Sequence, residues 1–297
     1  IEDEFYRPVA ASVIKVSPDD LDFDSYIIKA EFQHSFNATH GVLQILFPER
    51  YKPVEKKLKP SNNSLTGKYV HCYACNQSEI PFWNLRSDSM QTKTNIFGTQ
   101  TYVKPVLGKD HCDFNLLQIV VCPNCYFSTN DIQLFRSEKT NPAPFDVRSF
   151  VKVWKNHISG NKEKIQLDPD GFFSEHRTLD QAIVACELSI NAYQILVEQE
   201  KEHEYTRKIV TLLLLQAELL MVNEERQAAE ENLQKVLSIL EPISSDLKGE
   251  AGIRSAMVMS LINTYFKEYQ KVGQHIRFLE SFANSPDTVS YQKAMDT

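Results

Sequence analysis

The sequence predicts an α+β protein in three parts: a small β-rich domain over 1–66, a cysteine-bearing module over 67–140, and an α-helical repeat domain over 141–297. Three observations carry that division. Apolar residues alternate with polar ones in the first seventy positions, two Cys-x-x-Cys pairs stand in the middle, and the apolar period lengthens from two residues to 3.6 after Pro144. A chain of 297 residues is long enough for two or three such domains, each with its own core.

In the front part Ile28, Ala30 and Phe32 point one way while Lys29, Glu31 and Gln33 point the other, and Ala11 to Val16 and Val42 to Phe47 are similar runs. Ser17-Pro18-Asp19-Asp20 and Asn37-Ala38-Thr39-His40-Gly41 supply the turns between them. A polar joint, Lys59-Pro60-Ser61-Asn62-Asn63-Ser64, leads into the cysteine module.

Cys72-Tyr73-Ala74-Cys75 and Cys122-Pro123-Asn124-Cys125 have the spacing of two metal knuckles, each turn presenting two thiolates to one side, so that together they supply the four ligands of a tetrahedral zinc site. The expected cofactor is therefore Zn2+, held by Cys72, Cys75, Cys122 and Cys125. Four thiolates leave no open position, which makes the role structural. Asn76 suits the positive φ that follows such a knuckle, whereas Tyr126 at the matching place does not. Leu116 to Val121 reads as a strand entering the second pair, as in a zinc ribbon, and the insert between the pairs brings Phe82, Trp83, Phe97 and Tyr102 as apolar mass. His111 and Cys112 are alternative ligands. A redox pair would instead open a helix, and the second pair follows a strand-like run. Cys186 falls on the apolar face of a helix and reads as a packing residue.

Beyond Asn141-Pro142-Ala143-Pro144, Asp146 is placed to cap a helix burying Phe150, Val151, Trp154 and Ile158. Thr178-x-x-Gln181 opens a long amphipathic helix with Leu179, Ile183, Cys186, Ile190, Tyr193 and Val197 on its apolar face. Further helices are predicted over 205–223, 225–241, 250–269 and 271–284. Within 208–242, Leu213, Ala217, Leu220, Ala229, Leu233, Val236 and Pro242 fall as in a tetratricopeptide (TPR) repeat, except that Gln216 stands where that repeat has Leu. A plain helical bundle is the alternative.

Net charge is −7, with seventeen Lys and Arg against twenty-three Asp and Glu in residues 141–297. That balance offers no general basic face for nucleic acid, although Lys52, Lys56, Lys57 and Lys59 form a local patch. No apolar run reaches the roughly 20 residues of a membrane span. The acidic start, Ile1-Glu2-Asp3-Glu4, has no signal-peptide pattern, and paired cysteines suit a reducing compartment, so a cytoplasmic protein is expected. No metalloprotease, nucleophile-elbow or phosphate-loop motif is present, and an enzyme is not expected.

With its two Cys-x-x-Cys pairs, Leu85-Arg86-Ser87-Asp88-Ser89-Met90 between them, Asp113-Phe114-Asn115 before the second, and TPR-like helices afterwards, the chain resembles bacterial domain-of-unknown-function family 2225 over roughly 70–285. The resemblance implies that Cys72, Cys75, Cys122 and Cys125 are the family's paired cysteines and that the protein is bacterial; it implies no activity. Asn76 and Tyr126 depart from the glycines expected after each pair. In the front domain, Asn37 to Gly41 is similar to the Asn/Asp-x-Ser-x-x-Gly signature of PilZ cyclic-dinucleotide receptors, one residue short and without their paired arginines; an ordinary turn accounts for it equally. The expected function is a non-enzymatic, zinc-stabilised adaptor or scaffold whose helical surface holds a protein partner, with a basic segment favoured by the acidic balance. A regulatory nucleic-acid- or nucleotide-binding protein, using the zinc ribbon or the front domain, is the alternative.

Overall fold

The computed structural model describes residues 58–136, 142–158, 168–200, 203–244 and 249–283, all within one compact unit. Most of the expected β-rich domain, with its 37–41 turn and Lys52, Lys56 and Lys57, lies outside the described residues. What is described is a small β region followed by helices.

β1 (Leu65–Cys72) pairs antiparallel with β2 (Ile80–Leu85), and its far end pairs with β7 (Phe135–Arg136). The β1–β2 turn is the first cysteine knuckle. A second short hairpin, β5 (Val120–Val121) with β6 (Ser128–Thr129), carries the other. Leu116 to Val121 is thus not one strand. Asp113 accepts a hydrogen bond from the Asn115 amide and starts a 3-10 turn over Phe114–Leu116; the chain then turns through 117–119, leaving only Val120–Val121 as strand.

The polar joint is part of the module. The Asn63 amide donates to Asp110 Oδ2 and the Asp110 amide to Asn63 Oδ1, both at 2.8 Å, while Ser64 Oγ donates to the Asp110 carbonyl. The insert between the cysteine pairs is ordered as well. Trp83 packs with Leu65, Cys112 and Leu117 in a small core of its own. β3 (Met90–Thr94) and β4 (Gln100–Pro105) form a hairpin that reaches the helices: Thr99 and Thr101 both donate to the Glu218 carboxylate, and Phe97 meets Tyr265 edge-on at 5.6 Å.

Seven helices follow among the described residues: α1 (Val147–His157), α2 (Pro169–Phe173), α3 (Leu179–Glu200), α4 (His203–Val222), α5 (Arg226–Ile243), α6 (Gly249–Tyr265) and α7 (Tyr269–Ala283). Both expected caps form. Asp146 accepts from the amides of Arg148 and Ser149, and Thr178 and Gln181 bond reciprocally, side chain to backbone.

The expected single apolar face of α3 is too narrow a description. Ala182, Ala185, Ser189 and Ala192 are buried along with Cys186, Ile190 and Tyr193, because α1, α4 and β6 all pack on this helix. Small residues let those neighbours approach.

Two helices end in the same turn. Glu225 and Glu224 amides bond back to Leu220 and Met221 carbonyls at the end of α4, and Glu268 and Lys267 repeat this with Asn263 and Thr264 after α6. Each is a Schellman cap whose left-handed position, Glu224 or Lys267, has φ 64° without being glycine. The second cap ends α6 four residues before the expected boundary at 269. Conversely, α5 runs on through Pro242 to Ile243, where the sequence pattern places its end before the proline.

Gln216, the misfit in the repeat pattern, is buried but satisfied. Its amide nitrogen donates to the Ile183 carbonyl on α3, and its oxygen accepts from Asn232 on α5, which in turn accepts from Lys235. A Leu there would leave Asn232 buried without that partner, so the polar choice is coupled across three helices.

Candidate metal centre

Each cysteine pair sits at the tip of a hairpin and is shaped by the same two backbone bonds. The Cys72 amide donates to the Gln77 carbonyl at 2.9 Å and the Asn76 amide to the Cys72 carbonyl at 3.0 Å. In the second knuckle the Cys122 amide donates to Phe127 and the Tyr126 amide to Cys122, both at 2.9 Å. The residue after each pair is left-handed, Asn76 at φ 61° and Tyr126 at φ 58°. Tyr126 therefore does not depart from the knuckle geometry as its side chain suggested. The two backbone bonds impose the conformation despite the ~1–2 kcal/mol that such a φ costs a residue with a Cβ.

The hairpins face each other so that Cys72, Cys75, Cys122 and Cys125 bring four sulfurs within 4.8 Å of one another. Cys72 Sγ lies 3.6 Å from Cys125 Sγ, and Cys75 Sγ lies 3.5 Å from Cys122 Sγ. Both are well beyond the about 2.05 Å of a disulfide. Metal–sulfur bonds of about 2.3 Å in a tetrahedron place sulfurs about 3.8 Å apart. The cage thus has the size and donor set to hold one metal ion, with Cys72 and Cys122 buried and Cys75 and Cys125 partly exposed. Neither His111 nor Cys112 belongs to this group; Cys112 is in the Trp83 core.

Four thiols this close do not all ionise unaided. Hydrogen bonds from neighbouring cysteines hold two below the ordinary thiol range, from Cys122 to Cys75 and from Cys125 to Cys122. Cys72 and Cys125 are pushed up, chiefly by Cys122. A bound divalent cation stabilises all four as thiolates.

Arg136, which the sequence does not single out, and Trp154 and Tyr193, which it places only on apolar helix faces, connect this cage to its surroundings. Arg136 on β7 donates to the Cys72 carbonyl and to the Asn76 side chain, and its guanidinium lies 5.1 Å from the centre of the Tyr73 ring. It sets a positive charge beside the first knuckle. Trp154 on α1 donates its indole N–H to the Cys125 carbonyl at 2.8 Å. The Tyr193 hydroxyl on α3 bonds Thr129 Oγ1 at 2.6 Å and donates to Asn130 Oδ1 at 3.0 Å. Around these bonds Phe127 packs against Phe135, Phe145, Phe150 and Trp154, so the apolar core runs without a break from the second knuckle into the helices.

Cys186 stands apart from the cage, fully buried on α3, as its helical position predicts. Burial pushes its thiol from 9.0 up to about 12, with Arg177 pulling the other way. The folded chain keeps a proton that the unfolded chain releases from about pH 9, so this group's contribution to stability declines as pH rises from 9 towards 12. By pH 10 the loss amounts to about 1 kcal/mol. Urea midpoints at pH 8 and pH 10 are expected to differ less in Cys186→Ala than in the wild type; parallel shifts would show that Cys186 titrates alike in both states.

The fold and cage define a thiolate-cage module built onto a helical array, and no helix among the described residues is long and apolar enough to cross a membrane. The chain belongs to the family described as an uncharacterized protein conserved in bacteria (DUF2225), whose model matches residues 66–297. No curated protein and no solved structure matches the chain.

Proposed function

We propose that this is a non-enzymatic cytoplasmic adaptor in which Zn2+, held by Cys72, Cys75, Cys122 and Cys125, fixes a ribbon module against a TPR-like helical array, and the array presents a surface to a protein partner. Thiolate softness and closed four-fold ligation favour zinc in a structural role. The observation that carries the reading is the direct bond from Trp154 on the first helix to the carbonyl of the ligand Cys125, which makes the orientation of the helices depend on the knuckle.

The TPR-like reading is supported by the two hairpins, α4–α5 and α6–α7, closed by the same turn. Their αL residues are 43 positions apart, against about 34 in a tetratricopeptide repeat, so the likeness lies in the hairpin and not in the period. The β3–β4 hairpin already covers part of the helical surface through Phe97, Thr99 and Thr101. The partner surface is accordingly placed on the outer hairpin, where Leu261, Tyr269 and Ile276 are exposed. The acidic balance of the helical region favours a basic partner segment.

Affinity purification from the native bacterium tests this. Proteins recovered with the full chain are expected to be lost with Leu261→Ser/Tyr269→Ser/Ile276→Ser while one zinc per chain is retained. Unchanged recovery would remove the outer hairpin as the binding surface.

A further inference from the structure

A cavity of about 230 Å3 lies on the ribbon module, with none of the four cysteines in its lining. Its lining comes from four separate segments. β2 contributes Phe82 and Asn84, β4 contributes Tyr102, and the segments flanking the second knuckle contribute Phe114, Gln118 and Asn130.

Two properties of this lining point to a ligand. The first is aromatic surface: Phe82, Tyr102 and Phe114 all line the cavity, and Tyr102 meets Phe114 edge-on at 6.3 Å. The second is a set of side-chain amides with hydrogen-bonding capacity to spare. Asn130 accepts from Tyr193 through Oδ1, but its amide nitrogen has no partner among the described residues. Gln118 is already engaged, donating to Asn115 Oδ1 and hydrogen-bonded to the Tyr102 hydroxyl, whereas the exposed Asn84 amide has no side-chain hydrogen bond among the described residues. No charged side chain lines the cavity. Just outside, Lys68, the cross-strand partner of Phe82, holds its ammonium 5.5 Å from the centre of that ring.

We infer that this cavity is a binding site for a single nucleobase, with the attached phosphate meeting Lys68 at the mouth. Aromatic faces stack on any base, and paired donors and acceptors on carboxamides match the edges of a base better than the single polar atom of a tyrosine or tryptophan ring. The volume is below the ~300 Å3 at which pockets for drug-sized ligands begin, so the ring enters and the sugar stays outside. One lysine at the mouth implies one phosphate contact and a shallow salt dependence, consistent with a chain of net charge −7. The inference is independent of the helical partner surface.

The zinc-loaded full chain is titrated by calorimetry with AMP, GMP, CMP and UMP, and with N-acetyltryptophanamide as the probe for a peptide ring. At least one nucleotide is expected to bind saturably, with affinity falling about fivefold or more in Phe82→Ala and in Asn84→Ala. The logarithmic salt slope is expected near about −0.7, flattening in Lys68→Ala. Asn84 is exposed, so its variant should keep the wild-type zinc content and urea midpoint and isolates binding from folding. The inference is overturned if no nucleotide saturates by millimolar concentration, if both cavity variants bind like the wild type, or if N-acetyltryptophanamide binds more tightly than every nucleotide.

Discussion

Cys122→Ser is expected to reduce bound zinc from one per chain to a small fraction and to unfold the ribbon module. Cys122 is fully buried, its amide closes the second knuckle onto Phe127, and its sulfur lies 3.5 Å from that of Cys75. A serine hydroxyl is a far poorer ligand than a thiolate. Structural zinc contributes roughly 10–16 kcal/mol of apparent binding free energy at neutral pH, more than the whole stability of an ordinary domain. Loss of the metal should therefore propagate: Phe127, five residues on, anchors the ring cluster with Phe145, Phe150 and Trp154. Helical circular dichroism with a lowered, broadened melting transition is the expected signature, and a chelator should reproduce it in the wild type. Because ligation displaces thiol protons, zinc affinity should fall with falling pH. A Cys122→Ser protein with full zinc content and wild-type melting would show that this sulfur is not a ligand.

Arg177→Leu is expected to destabilise the protein by about 3 kcal/mol or more. Arg177 is almost fully buried. Its Nε donates to the Phe172 carbonyl at 2.9 Å, its Nη1 donates to the Ile119 carbonyl at 2.8 Å and more weakly to Leu116 at 3.3 Å, and its plane covers Phe172. Burial draws its pKa down to about 10, still well above neutral pH, so the group stays charged. Exchanging a buried ion for a hydrophobe can be neutral or favourable when its partners leave too. Here the partners are main-chain carbonyls in α2 and in the segment entering the second knuckle, and they remain. Each lost charge-assisted bond costs ~1.5–3 kcal/mol, partly offset by the desolvation of the guanidinium. A urea midpoint equal to that of the wild type would contradict this assignment.

The cysteine cage was legible because it depends on four residues of rare type at short, fixed spacing. The caps at Asp146 and Thr178 were legible for the same reason: each is a local bond between neighbours in sequence. What escaped was set by contacts between distant segments. The Cys-x-x-Cys spacing calls for a left-handed residue at 126 but the tyrosine side chain does not; the conformation follows from the two bonds that the knuckle makes on either side of it. Arginine is ordinarily an exposed side chain, and Arg177 is buried only because three carbonyls from two segments converge on it. The docking of Thr99 and Thr101 on Glu218 joins positions more than a hundred residues apart, and an alternating strand pattern carries no trace of that. The 3-10 turn at Phe114 and the uninterrupted helix through Pro242 depart from the sequence pattern at element ends, where one side-chain bond or the packing of a whole face outweighs local preference.

X-ray absorption at the zinc edge of the purified chain, with elemental analysis on the same sample, tests the centre most directly. One zinc per chain with four sulfur neighbours at about 2.3 Å is the expected result. Nitrogen or oxygen in the first coordination sphere, or metal-free protein whose cysteines are joined as disulfides, would contradict it.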